Sequence, residues 1–342
     1  VLMVLGLLVF GISPSPYVVE RPGPAYDTLG TVRVDGDEVP VIQIDDADTY
    51  PTDGRLDLLT VYLDGSREHP QNWFEIIRAA IDPSRAVLPV DAVFPEGQSD
   101  EESSQASALD MRISQQAAQA AALTALGIPL TPAVAVLDVT ADGPADGVLE
   151  VGDEVLSIDG VAISTDPELR QAIADAGVGT ELQFGIRRDG RERTVTVVPG
   201  ARSASDSSPM IGIIPTETYE FPFDITINLQ SVGGPSAGMM FALGIYDRLT
   251  PGPLTGGEHI AGTGTITADG AVGPIGGIQQ KMIGARDAGA RWFLAPASNC
   301  EEVVGSVPTG LQVFKVSEFD EALAIVTAIG MGESTASFPR CS

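Results

Sequence analysis

Apolar and β-branched side chains recur at every second position in 31–34, 39–44 and 55–63, the rhythm of half-buried strands. Residues 95–107 (PEGQSDEESSQAS) are polar, acidic and without period, and read as a mobile loop. A helix is expected over 110–126, where Ala, Ile and Leu return at helical spacing and Gly127 stands in the place of a capping glycine.

From about residue 131 the segments shorten. The pattern predicts a strand at 134–139, a turn at 141–147 and a short strand at 156–158 ending at Asp159-Gly160. A helix follows to about 176, with Asp166 as its cap and Pro167 at its first position. Strands at 181–187 and 194–198 flank an Asp189-Gly190 turn, and 201–209 (ARSASDSSP) has linker composition. The last third alternates strands (223–229, 263–267, 291–295, 311–316) with helices at 236–246 and 277–289 and a final one opened by Ser317 and Asp320 in a capping-box pattern. The helix at 236–246 is apolar almost all round and should be buried. This ordering is α+β or α/β, and 342 residues leave room for two domains.

The opening run, VLMVLGLLVFGI (1–12), is uncharged and apolar. It is shorter than the roughly 20 residues that span a bilayer. It begins at Val1 without a basic flank and is expected to continue a longer segment, as a truncated transmembrane anchor. A signal-peptide core is the rival, but 13–17 hold no A-x-A-like cleavage site. With an anchor, the acidic bulk of the chain lies outside the cytoplasm, at a single-pass cell membrane.

The formal net charge of −28 argues against a nucleic-acid partner, which needs a basic face, and against docking on anionic lipid heads. Of 19 basic residues all but Lys281 and Lys315 are arginine. Arginine keeps its proton in a protein, whereas a desolvated lysine can lose one. His69 and His259 are the only histidines. Cys300 and Cys341 are the only cysteines; such a pair outside the cytoplasm often forms a disulfide, and two buried thiols are the other reading.

Gly233-Gly234-Pro235-Ser236-Ala237-Gly238 falls at a strand-to-helix turn. There a serine hydroxyl can sit beside free backbone N–H groups that stabilise an oxyanion, and Gly233 and Gly234 allow a peptide close to the backbone. An ordinary Gly/Pro turn with a serine cap is the plainer reading. On a helical wheel Lys281 falls opposite Gln279, Gln280, Arg286 and Asp287, among Gly284, Ala285, Ala288 and Met282. A lysine on that face either snorkels to water or is desolvated and partly neutral. A neutral amine beside Ser236 could take the serine proton and return it to the leaving amine.

GGPSAG, followed by TGTITADGAVGPIGGIQQK (263–281), resembles the proteolytic domain of Lon proteases. The resemblance implies a Ser236–Lys281 dyad, and Thr263 matches the threonine that contacts the lysine. That family usually has an aspartate where Gly233 stands and an acidic residue where Thr265 stands, departures that bear on activation and loop opening. No Walker A sequence occurs in the chain, so the resemblance implies a peptidase without ATP. Gly234–Gly238 also fits the G-x-S-x-G elbow of α/β-hydrolases, but His259 follows Ser236 too soon for that architecture.

ADGPADGVLEVGDEVLSIDG (141–160) resembles the PDZ signature of bacterial HtrA-type proteases, which bind peptide C-termini by strand addition. That likeness would put the carboxylate-binding loop at Gly127, Ile128 and Leu130. Anchor, PDZ and Lon-type parts together resemble bacterial PDZ-containing Lon-like proteases. The division expected is 1–12 anchor, 17–126 N-terminal part of the peptidase, 127–200 PDZ domain inserted into it, 201–209 linker, 210–330 catalytic part and 331–342 tail. The resemblance implies a serine endopeptidase acting on extracytoplasmic or membrane-proximal polypeptides, no cofactor or metal, and a homo-oligomeric ring. The alternative is a non-catalytic PDZ peptide-binding protein on a relict peptidase fold.

Overall fold

The computed structural model describes residues 11–34, 36–95, 97–188, 190–203, 206–229 and 232–341. Most of the apolar run 1–12, and Asp189 of the expected turn, lie outside them. Among the described residues no helix is long and apolar enough to cross a membrane.

The first stretch runs β1 (Tyr17–Asp27), β2 (Thr31–Val34), β3 (Asp37–Pro40), β4 (Ile42–Ile44), β5 (Arg55–Asp64), α1 (Trp73–Ala80), β6 (Ala86–Pro89), α2 (Val90–Val93) and α3 (Asp100–Ala125). The middle stretch holds β7 (Thr131–Val139), β8 (Glu154–Ile158), β9 (Val161–Ala162), α4 (Asp166–Ala176), β10 (Leu182–Arg188), β11 (Arg191–Val197), β12 (Gly200–Ser203), β13 (Asp206–Met210) and β14 (Ile213–Glu220). The last comprises β15 (Ile225–Ile227), α5 (Gly238–Leu249), β16 (His259–Gly262), β17 (Thr265–Ile266), β18 (Val272–Gly273), α6 (Ile278–Asp287), β19 (Trp292–Pro296), α7 (Cys300–Val303), β20 (Gln312–Val316) and α8 (Phe319–Gly330). The chain divides into two compact units, one made of the residues up to 128 with those from 223 onward, the other of Pro129–Pro222.

The first unit is built on a mixed sheet of order β20-β19-β16-β5-β1-β6. β5, β16, β19 and β20 run parallel, and β1 is antiparallel to β5 and β6. Leu56, Leu58 and Leu59 bury β5 at its centre, and α5 packs Met239, Met240, Phe241, Leu243 and Ile245 into the same core. α3 lies along α5 through Ser114, Ala118, Ala121 and Ala122, small side chains that let two helices approach closely. A Cβ on Gly238 would sit 2.7 Å from Ser114 Oγ, so the close approach requires that glycine.

α3 corrects the loop expected at 95–107. It starts at Asp100, and Ser99 and Glu102 form a capping box in which each side chain takes the other's backbone N–H. The acidic run that looked loop-like fills the first turn, where carboxylates favour the helix dipole.

The second unit pairs β11-β10-β8-β7-β14, with β9 on β8 and α4 over the core of Phe184, Ile186, Leu169 and Val134. Asp153 of the GDEVLSIDG run is buried and held by Arg188 through two bonds of 2.6 Å. Thr165, not Asp166, caps α4, because its hydroxyl reaches Glu168 N while Glu168 reaches back. The expected linker at 201–209 is instead hairpin β12–β13, and β14 pairs with β7, so the second unit runs to residue 222. At the other end Glu318 caps α8 without a side-chain bond, and the expected Ser317–Asp320 box does not form.

Candidate active site

Gly277 opens α6 with a left-handed φ of +69°, and the helix then buries Ile278, Lys281, Met282 and Ala285, together with Gln280, which the wheel puts on the opposite face. Small residues on the Lys281 face leave the lysine stem a path into the core, as its place on the wheel implied. Lys281 is 2% exposed. Its ammonium donates to Ser236 Oγ at 2.8 Å and to Thr263 Oγ1 at 3.2 Å.

Thr263 follows β16 directly, at the C-terminal end of a parallel strand, where open α/β sheets place their sites. It is fully buried, and its hydroxyl donates to Ser236 O at 2.9 Å; Gly264 N donates to the same carbonyl at 2.8 Å. Ser236 lies in the turn before α5 rather than within the helix. α3 holds that turn from the other side, with Ser114 Oγ donating to Pro235 O and Gly234 N donating to Ser107 O, both at 2.8 Å. The second bond occupies the Gly234 N–H, which removes it as an oxyanion donor; Gly233 stays exposed on the cleft.

The cleft over Ser236 measures about 350 Å³. Pro24, Tyr26, Val61 and Tyr62 form one wall, and Val232 and Gly233 belong to the other. Burial pulls the Lys281 amine down to about 8, partly offset by the negative charge of Glu20. Glu20 is a residue that sequence reading missed. It is buried on β1, and a Cβ on Gly277 would lie 2.5 Å from its carboxylate. Burial raises the Glu20 carboxyl, Lys281 lowers it and Glu302 raises it further. None of the expected strands covers it, and its approach to α6 is a tertiary fact.

His259 is no partner for Ser236. It bonds buried Asp57 at 2.7 Å, and Arg55 also reaches Asp57. His259 starts β16 and Thr263 follows its end, about 13 Å away along an extended strand. Glu68, His69 and Asp100 could each offer a metal ligand atom. Asp100 is already bonded to Ser66 Oγ and His69 Nδ1, which makes the group a lock at the start of α3.

Of the expected carboxylate loop Gly127, Ile128 and Leu130, only Leu130 falls within the second unit. Gly127 (φ +72°) and Ile128 close α3, donating to Thr124 O and Leu123 O, and belong to the first unit. A cleft of about 470 Å³ in the second unit lies between Leu169, Ile173 and Ala174 of α4 and the segment 208–213, which leads from β13 to β14. The signal available in sequence was Met210-Ile211-Gly212-Ile213, a glycine between apolar residues, and Gly212 has φ +75°.

Residues 230–328, which hold Ser236, Thr263 and Lys281, match the family of the Lon protease (S16) C-terminal proteolytic domain, and residues 114–198 match the PDZ domain family. The chain carries a Lon-type proteolytic domain and a PDZ domain. The chain is 40% identical over 94 residues to Lon protease 1 of Sorangium cellulosum, covering 27% of this chain and 11% of that protein. Lon protease 1 of Bacillus subtilis is 30% identical over 178 residues, covering 51% of this chain and 21% of that protein. The chain thus matches a tenth to a fifth of these relatives' length. The PDZ domain of the SdrC-like protein from Listeria monocytogenes is 28% identical, covering 24% of this chain and 86% of that chain, with a TM-score of 0.23. The PDZ match ends at 198, before the 208–213 wall of the cleft.

Proposed function

We propose that the protein is an ATP-independent serine endopeptidase in which Ser236 is the nucleophile and Lys281 the general base. The observation that carries this reading is the 2.8 Å contact between Lys281 Nζ and Ser236 Oγ on a lysine shut away from water. With the amine near 8, about one molecule in ten holds it neutral at pH 7. The neutral amine accepts the Ser236 proton as Oγ attacks the scissile carbonyl, and returns it to the leaving amine as the C–N bond breaks. It then deprotonates the water that cleaves the acyl ester, restoring Ser236. Thr263 holds the amine and the Ser236 carbonyl in one arrangement through both steps.

The PDZ cleft beside α4 recruits polypeptide C-termini, with 208–213 rather than 127–130 meeting the carboxylate. The run 1–12 anchors the chain in the cell membrane with its acidic bulk outside, so substrates are extracytoplasmic or membrane-proximal polypeptides. Copies assemble as a ring, as in the Lon family that the catalytic part resembles.

The test is hydrolysis of an unfolded protein and a fluorogenic peptide library without ATP. Activity in the parent chain and its loss by at least about 10³-fold in Ser236→Ala are expected, the scale of removing a covalent nucleophile. Undiminished activity in Ser236→Ala overturns the dyad, and an inert parent chain favours the peptide-binding alternative.

A further inference from the structure

α1 has two apolar faces. Its inner face buries Ile76 and Ala79 against Val19 of β1, with Trp73 edge-on to Tyr17. Its outer face leaves Phe74 47%, Ile77 52% and, at the cap, Ile81 80% exposed. At 100° per residue these three fall within an arc of about 60°, a narrow continuous stripe. Arg78 is exposed beside it. Isolated exposed apolar residues need no explanation; an aligned stripe on a short helix does.

The chain N-terminal to this helix is tied to it. Trp73 N donates to Ser13 O, Ser15 N donates to Gln71 O, and Pro14 bridges Asn72. Gly11 lies directly on the Phe74 ring, since a Cβ there would be 2.1 Å from it, and Ile12 is 67% exposed. The ten residues before Gly11, VLMVLGLLVF, are all uncharged and apolar except for one glycine. The apolar run and the outer stripe of α1 therefore meet at one point.

We propose that Phe74, Ile77 and Ile81 form a membrane-contact face that lies in the headgroup–acyl boundary of the bilayer holding the N-terminal run. The proposal rests on the anchor reading given above. The contact is apolar and so does not depend on anionic lipid, which a chain of net charge −28 would avoid. Arg78 is placed to reach a lipid phosphate from the edge of the stripe.

The test places a photoreactive benzoylphenylalanine at Ile77 of the full chain in phosphatidylcholine vesicles, with flotation to score anchoring. Floating protein whose main photoproduct is a lipid adduct is expected. Adding Ile81→Asp should cut that adduct by about tenfold while flotation persists, because a carboxylate is costly in the apolar boundary. Floating protein that links mainly to a second copy, to residues 1–10 or to neither overturns the face and leaves the anchor. Protein that fails to float overturns the anchor, and the face with it.

Discussion

Thr263 holds Ser236 by its backbone rather than by its hydroxyl: the threonine hydroxyl donates to the serine carbonyl at 2.9 Å while its oxygen accepts from Lys281 at 3.2 Å. One buried hydroxyl thus sets both the backbone of the proposed nucleophile and the amine proposed to activate it. Thr263→Val keeps the shape and removes both bonds. Because Gly264 N still satisfies the Ser236 carbonyl, the fold should survive. A fall of about 10–100-fold in kcat with little change in KM is expected, the scale of hydrogen bonds to charged groups. An unchanged kcat would deny Thr263 a positioning role.

The pH dependence of hydrolysis follows from the buried amine. In the proposed mechanism only neutral Lys281 accepts the serine proton, so kcat/KM should rise with pH along a limb centred near 8 and level off above it. Lys281→Arg should be inactive at every pH, since a guanidinium stays protonated. A flat profile from pH 6 to 9 with the chemical step limiting would count against the lysine.

Glu20 acts on that limb from β1. Its negative charge favours the ammonium form of Lys281, against the desolvation that dominates. Glu302 on α7 is the other acid whose charge acts on Glu20; Tyr62 of β5 lines the cleft with Lys281, and the Arg21–Asp64 pair joins β1 to β5. Glu20→Gln should move the limb below 8 while the protein stays folded. A limb that does not move, in an active and stable variant, would make Glu20 a packing residue only.

The Ser236–Lys281 contact was legible because its two signals are local: a glycine-rich turn before an apolar helix, and a lysine on the small-residue arc of another. What escaped depends on partners distant in sequence. The acidic start of α3 looks like a loop until Ser99 and Glu102 are seen to cap each other. The 201–209 segment has linker composition, yet Gly200 and Met210 pair across a hairpin. The PDZ likeness points to the start of the second unit for a peptide loop, while the tertiary fold brings 208–213 beside α4. No local pattern encodes which strand lies beside a helix.

Asp247, fully buried near the end of α5, offers a stability test remote from the dyad. Leu254 N donates to its Oδ1 at 2.8 Å, and burial pushes the carboxyl up to about 6. A folded pKa above that of a free carboxyl means the fold holds the proton more tightly than the unfolded chain. The cost of ionisation is absent below about pH 4 and complete above about pH 7. Asp247→Asn retains an acceptor for Leu254 and should stabilise by about 1–2 kcal/mol at pH 8, with little gain at pH 4. Equal urea midpoints for the two proteins at pH 8 would contradict this.

The C-terminal tail is held at the sheet edge, not loose as its polar composition suggests. β20 is the outermost strand, and Lys315 N donates to Pro339 O at 3.0 Å, so the tail occupies part of an otherwise open edge. Phe338 meets Phe314 edge-on, the Arg340 guanidinium lies 4.5 Å from the same ring's centre, and Arg340 donates to Gln312. Cys341 is then joined to Cys300 by a disulfide, with Cα atoms 5.0 Å apart across 41 positions of sequence. Closing a loop of that length removes about 4 kcal/mol of unfolded-chain entropy. Cys341→Ser should therefore cost about 2–4 kcal/mol, with the aromatic and backbone contacts still slowing release of the tail. A bridge of this kind persists outside the cytoplasm, where the proposed anchor would put it. Mass spectrometry of unreduced protein from its native membrane should find the Cys300 and Cys341 peptides linked. Two free thiols there would refute both the bridge in the cell and the outward orientation, even if purified protein later oxidised in air.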